Sequence, residues 1–315
     1  MRQIYISSCD PSGGIYRFAL DGGKLRLLDK TPLDRPMYTV LSQKKLYVLL
    51  RQTDTGTNHG GVTHLAVNAD GSLGQPAPVV SSAGVVPCHL SVFRGKVYLV
   101  NYLSGNVVCV GGPVRQHSGS SVNTARQEAP HTHFVQPSPD GKYLLCCDLG
   151  LDRIFTLDAE LNGVCSVQTL PGDGPRHLAY SEDGQFVYCA NELSSTVGVY
   201  AYADGRLSLL RTVSCAEKPE GNAPAAIRWR DGLLWVSNRG EDTISCFRTE
   251  ADRLEPAGRT PVGGSFPRDF AFADGYLVCA NEHSDSVTVF RVEGEKLLQT
   301  DTVSGIPSPL CVTVL

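Results

Sequence analysis

The 315-residue chain is 42% hydrophobic and 19% charged, an ordinary balance for a soluble globular protein and enough for one large β domain, taken as 1–315. Its formal charge of −4 supplies no basic footprint, which argues against nucleic acid as a partner. No apolar run reaches signal-peptide or bilayer-spanning length, so no membrane contact and a cytoplasmic location are expected.

Taken in order, IYISS (4–8) reads as a short apolar strand, and GIYRFAL (14–20), the DGGK turn (21–24) and LRLLDKT (25–31) follow it. The same succession then returns: an opening strand, a turn, a second apolar strand ending in polar residues, and two more strands. The second strands mark the repeat best: IYISS, LYVLLRQ (46–52), VYLVNY (97–102), YLLCCDL (143–149), FVYCANE (186–192), LLWVSNR (233–239) and YLVCANE (276–282). Their aromatic anchors, from Tyr5 to Tyr276, recur every ~40–50 residues, the length of a four-stranded propeller blade. The pattern predicts an all-β, seven-bladed β-propeller with four antiparallel strands per blade and few, short helices. The first repeat lacks an opening strand, and SPLCVTVL (308–315) is left over at the other end. Pairing these two closes the ring and leaves no free edge. The Ser-, Asn-, Gln- and Gly-rich segment 111–130 reads as an inserted loop in place of a fourth strand.

The eleven cysteines are odd in number, contain no CxxC pair and lie mostly in strand-like runs, for example Cys109, Cys146, Cys189, Cys246 and Cys279. They read as buried free thiols in a reducing compartment. His131 and His133 are two residues apart and so share a strand face, compatible with a metal. No third ligand has matching spacing, so neither a metal nor a cofactor is expected.

Opening-strand starts and second-strand ends lie on one face of a propeller, because the two strands run antiparallel. The opening strands bring His89, His131, His133, Arg176, His177, Arg268 and Asp269 there. The second-strand ends bring Arg51, Asn101, Asp148, Asn191, Glu192, Asn238, Arg239, Asn281 and Glu282. Arginines, histidines and carboxylates converging on one axis make a site for a small polar or anionic molecule. Asn or Asp at a strand end also commonly caps a turn, and His89 also fits a core histidine. Charged Arg176, Glu192 and Arg239 are costly near a narrow axis unless paired or liganded.

PCHL (87–90), NYLSG (101–105), QHSGS (116–120), RQEAPHTH (126–133), DLGLDRI (148–154), GPRH (174–177), NELSST (191–196), SNRGEDTI (237–244) and PSPLCV (307–312) together resemble the seven-bladed lactonase family of 6-phosphogluconolactonases and a carboxymuconate-cyclising enzyme. The resemblance runs over nearly the whole chain. It implies a metal-independent site of a His, two Arg and a Glu. By motif these fall on His131 or His133, Arg176, Glu192 and Arg239, with His89, Asn101, His177, Asn191 and Arg268 as substrate-binding candidates. Two departures stand out. Ala226 occupies a place where the family usually carries Glu, and RQTDTG (51–56) replaces a common Asn-Glu ending.

The resemblance implies hydrolysis of a sugar lactone, foremost 6-phospho-D-glucono-1,5-lactone, a small anionic substrate. A histidine of near-neutral pKa would take a proton from water. One Arg would stabilise the oxyanion and the other, helped by Arg268, would hold the phosphate. Glu192 would orient an Arg or the histidine, or act as the base. The alternatives are another lactonase or lactonising enzyme of the same fold, or a non-catalytic propeller that binds proteins.

Overall fold

The computed structural model describes residues 2–53 and 59–315. Seven four-stranded antiparallel sheets account for nearly all of it, and the helices among the described residues are two single turns, Leu149–Leu151 and Glu282–Ser284. The innermost strands are Pro309–Val314, Pro36–Ser42, Pro87–Phe93, Thr132–Pro137, Pro175–Tyr180, Ala223–Arg230 and Pro267–Ala273. Each packs on the next and the last returns to the first, so they encircle an axial channel. The blades are numbered 1 to 7 in that order.

Second strands are buried on both faces, because each blade is sandwiched between two others. Phe186–Asn191 is buried along almost its whole length, and Tyr276–Asn281 likewise. Two-sided burial selects continuous apolar runs in place of alternation. The outermost strands face water on one side, and Arg206–Ser214 accordingly alternates between exposed and half-buried positions. In blades 6 and 7 the innermost and second strands meet at two-residue turns, Asp231-Gly232 and Asp274-Gly275, with φ of 52° and 78° and of 46° and 83°. Positive φ at both positions is the twist-matched hairpin geometry, and Asp-Gly reaches it with little strain.

Blade 1 takes its innermost strand from the far end of the chain: Ile4 pairs with Val314 and Ile6 with Val312. Segment 111–130 differs from expectation at its start. Val114–Gln116 forms a three-residue outer strand on Asn106–Cys109, and the loop proper runs from 117 to 131. The apolar Val114 and the Val107–Arg115 pairing extend the sheet before the polar stretch begins.

One irregularity recurs in all seven blades. The ladder between the innermost and second strands slips near the start of the innermost strand, at Pro36/Tyr38, Pro87/His89, Thr132/Phe134, Pro175/His177, Pro224/Ile227, Pro267/Asp269 and opposite Ser7/Ser8. In six blades the residue before the slip is proline, which has no N–H to continue the ladder. One extra residue is then accommodated on the innermost strand as a β-bulge; in blade 6 the pair Ala225–Ala226 together faces Ser237. The position just before the proline is left-handed in five blades, at Arg35, Val86, Gly174, Phe266 and Ser308, with φ between 44° and 64°.

A chain ending at Ile306 should leave Arg2–Ser8 as an open edge and uncover the channel side of blade 1. Loss of the single cooperative thermal transition, with aggregation on size exclusion, is the expected outcome. A monomer that melts like the full chain would show that ring closure is dispensable.

Candidate functional site

The bulges determine which side chains reach the axis. The extra residues are Leu310, Met37, Cys88, His133, Arg176, the Ala225–Ala226 pair and Arg268. All but the alanines line a cavity of about 230 Å³ or the narrow space directly beneath it. A second ring comes from the residue that ends or follows each second strand. Its N–H donates to the carbonyl preceding the bulge: Arg51 to Arg35, Tyr102 to Val86, Glu192 to Gly174, Glu282 to Phe266. In blade 6 the equivalent Arg239 pairs with Ala223. Arg51, Tyr102, Glu192 and Arg239 form the cavity wall, and the loop of blade 3 adds Arg126.

Glu192 is the centre of this arrangement. Its Oε2 accepts from Arg176 Nε at 3.0 Å and from Arg239 Nη2 at 2.6 Å, and its Oε1 accepts from Arg126 Nη2 at 2.7 Å. Burial disfavours the carboxylate, but Arg239 and Arg176 outweigh it and hold the Glu192 carboxyl well below the usual range. Arg239 is fixed further by donating Nε to the Ala223 carbonyl at 3.0 Å and by lying over the Phe266 ring. Burial, then the like charge of Arg239, pushes the Arg176 guanidinium below its ordinary value, and its buried Nη1 has no partner among the described residues. Arg268 donates to Glu282 at 3.1 Å and completes the cationic lining.

His133 faces the same cavity, with Nδ1 buried and without a partner among the described residues. Burial first, and then Arg176, hold its imidazole well below 6.5. It is therefore neutral at physiological pH, where near-neutral titration was expected. A neutral imidazole beside two guanidinium groups oriented by one carboxylate can accept a proton while cations stabilise negative charge on a reacting oxygen. A cavity of about 600 Å³ opens at the other end of the channel, between His89, Phe134, Arg228 and Trp229. It is larger, but the charged side chain among its lining residues, Arg228, is already paired with Asp269 at 2.7 Å. Charge, not volume, marks the smaller cavity.

Residues 3–314 match the family description "Lactonase, 7-bladed beta-propeller". The chain belongs to this family. An uncharacterised Staphylococcus aureus protein is 33% identical over 82% of this chain and 81% of its own length. Among solved structures, the Pseudomonas aeruginosa periplasmic gluconolactonase PpgL is 26% identical with a TM-score of 0.88, covering 100% of this chain and 99% of its own. A Bacteroides uniformis protein provisionally assigned as a 6-phosphogluconolactonase is 25% identical with a TM-score of 0.90, over 100% and 99%.

In this lactonase-family propeller, Arg176, Glu192, Arg239 and His133 come together, with Arg268 beside them. His131 does not share the cavity. Its Nδ1 lies 3.0 Å from the Tyr102 carbonyl, its Nε2 lies 3.1 Å from Glu128 Oε1, and its ring stacks on Tyr102. A regular strand would place residues 131 and 133 on one side; the bulge at His133 breaks that alternation. Among the described residues no group of three or more His, Cys, Asp and Glu is placed to hold a metal. His177 and His89 lie one level deeper, at 5.2 Å between ring centroids, and both are neutral through burial and nearby arginines. Asn101 and Asn191 lie outside the cavity lining and serve local turns, donating to Asn106 Oδ1 at 2.8 Å and Thr196 Oγ1 at 3.0 Å. Ala226 is buried in the blade and donates its N–H to Ser237 Oγ at 3.0 Å. Of the RQTDTG departure, Arg51 lines the cavity and residues 54–56 lie outside the described residues.

Tyr102 and Arg126 were not singled out as site residues from sequence. Tyr102 follows Asn101 at the place homologous to Glu192, a signal the repeat alignment contains. Arg126 belongs to a loop present in one blade only, and no repeat signal marks it.

Two outcomes follow from this charge arrangement. Glu192→Gln leaves two buried guanidinium groups without their shared anion and should destabilise the protein by about 3–5 kcal/mol in denaturant titration. Acid should weaken the fold through the channel histidines. Their native pKa values lie well below 6.5, so below about pH 6.5 the unfolded chain binds protons that the native one does not. Stability is therefore full above that pH and falls as pH drops from 7 to 5, where Glu192 stays ionised. Neither His177 nitrogen has a partner among the described residues, and blade 4 carries Phe134 at the equivalent place. His177→Phe should thus remove about one proton from the slope, roughly 1.4 kcal/mol per pH unit.

Proposed function

We propose that this protein hydrolyses a sugar lactone, with 6-phospho-D-glucono-1,5-lactone as substrate and without a metal. The observation that carries the reading is the neutral His133 imidazole facing the small cavity lined by Glu192 and Arg239, with Arg176 held from beneath by the same Glu192 carboxylate. In the forward step a water oxygen bonds to the lactone carbonyl carbon and gives a proton to His133. The carbonyl electron pair moves to oxygen, and the guanidinium groups stabilise this oxyanion. Collapse breaks the ring carbon–oxygen bond, and the departing alkoxide recovers the proton from the imidazolium. Glu192 is engaged by three arginines and held ionised; its task is to fix their orientation. Family membership and the gluconolactonase named among the solved relatives support lactone chemistry.

The cationic lining favours a phosphorylated substrate. Five guanidinium groups, from Arg51, Arg126, Arg176, Arg239 and Arg268, surround or floor the cavity, against the carboxylates of Glu192 and Glu282. The relationship to PpgL supports a second reading, in which unphosphorylated gluconolactone is the substrate. A cytoplasmic location is consistent with the eleven free thiols, nine of them buried, although one solved relative is periplasmic. Among the described residues no helix is long and apolar enough to cross a membrane.

Purified protein should speed loss of the phosphorylated lactone above its spontaneous rate, followed by proton release. His133→Asn and Arg176→Ala should each lower kcat about a hundredfold, and a chelator should leave the rate unchanged. Because His133 is neutral well below pH 6.5, kcat/KM should not fall between pH 7.5 and about 6.5 for want of the base. Equal rates with and without protein across a panel of phosphorylated and unphosphorylated lactones would remove the hydrolase assignment.

A further inference from the structure

The loop 117–131 is anchored along its length. His117 Nδ1 lies 2.6 Å from Asp148 Oδ2, and Ser121 Oγ donates to Asp152 Oδ2 at 2.6 Å. The fully buried Gln127 donates to the Leu149 carbonyl at 2.9 Å, and Glu128 holds His131. The loop also approaches Gly150 so closely that a Cβ there would sit 1.9 Å from the Ala129 carbonyl oxygen. Such a loop is a rigid mount.

Arg126 extends from this mount into the cavity wall. Its side chain is 45% exposed, whereas those of Arg176 and Arg239 are 2% and 7% exposed. Among the described residues only its Nη2 is engaged, with Glu192 Oε1 at 2.7 Å and more distantly with the Tyr102 hydroxyl at 3.4 Å. Glu192 keeps two other arginines on its second oxygen, so its charge stays compensated when Arg126 turns to another anion. A guanidinium fork matches phosphate or carboxylate oxygens in pairs.

We propose that Arg126 determines substrate specificity by binding the anionic substituent of the lactone, at the open side of the cavity and away from the reacting carbonyl. The proposal rests on the lactone-hydrolase reading and divides the arginines by task. Arg176 and Arg239, buried beside His133, serve the carbonyl; Arg126 selects lactones that carry a phosphate or a carboxylate.

The test compares wild type, Arg126→Ala and Arg126→Lys on phosphorylated gluconolactone, unphosphorylated gluconolactone and glucarolactone. Retained thermal transitions establish that each variant is folded. For Arg126→Ala, kcat/KM on the phosphorylated substrate should fall at least about tenfold more than on gluconolactone, chiefly through KM. Arg126→Lys should recover part of that preference. A matching loss on glucarolactone means that the residue reads charge; loss on the phosphorylated lactone alone means that it reads phosphate. An equal loss on charged and uncharged substrates, or a loss confined to kcat, overturns the proposal and leaves Arg126 as a support for Glu192.

Calorimetric titration with 6-phosphogluconate and gluconate separates this proposal from the hydrolase reading. Turnover with an unmoved preference sinks the role of Arg126 alone. Arg126-dependent binding of 6-phosphogluconate without turnover of any lactone sinks the hydrolase reading alone. Neither turnover nor binding sinks both.

Discussion

A single backbone defect, repeated around the ring, sets up the chemistry of this molecule. Each innermost strand begins with a residue that slips out of register with its neighbour, and in six blades a proline without an N–H precedes the slip. The extra residue has no ladder partner, so its side chain is freed from the regular alternation between blade interfaces. Left-handed backbone just before the proline carries strain that the packed ring must hold in four blades, at Arg35, Val86, Phe266 and Ser308; in the fifth, Gly174 adopts it freely. That expense yields a circle of positions whose identity is free to vary: apolar at Met37 and Leu310, cationic at Arg176 and Arg268, imidazole at His133. Seven equivalent scaffolds become one asymmetric site through substitution at equivalent places.

Buried charge is the second organising constraint. Desolvation opposes both Glu192 and Arg176; Arg239 and then Arg176 offset it for the carboxylate, and Glu192 offsets it for Arg176. Blade 5 supplies both of them, and blade 6 supplies Arg239 to the same carboxylate oxygen. The cluster therefore joins adjacent blades where the channel is narrow. It also explains why the histidine beside it is neutral: surrounding cations and low solvation act in one direction on an imidazole. The electrostatics that favour an incoming anion also keep the base unprotonated.

Much of this was legible in the sequence because burial has a direct signature. Second strands squeezed on both faces read as continuous apolar runs with one aromatic anchor, so seven blades were visible, as was the leftover strand that closes the first. Arg176, Glu192 and Arg239 were visible too, since charge at a strand end near an axis demands a partner. Details that depend on departures from regular pleating were hidden. His131 and His133 look equivalent at a spacing of two, and only the bulge sends one to the cavity and the other to Tyr102. The prolines at 36, 87, 175, 224, 267 and 309 are the textual trace of that bulge, and each is followed by its extra residue. Asn101 and Asn191 illustrate the opposite case: polar residues at strand ends whose side chains are consumed by their own turns. Arg126 lies outside the repeat, where internal comparison has no purchase.

The pairing of Arg2–Ser8 with Pro309–Val314 also has a consequence in time. On a ribosome the first blade cannot be completed until the last strand has left the exit tunnel. At about 5–20 residues per second, a chain of this length leaves that blade one strand short for roughly 15–60 s. Throughout that interval an apolar edge rich in Ile and Tyr stands open to other nascent chains. The closure that removes edges from the finished ring thus concentrates the risk of misassembly at the strand whose partner is made last.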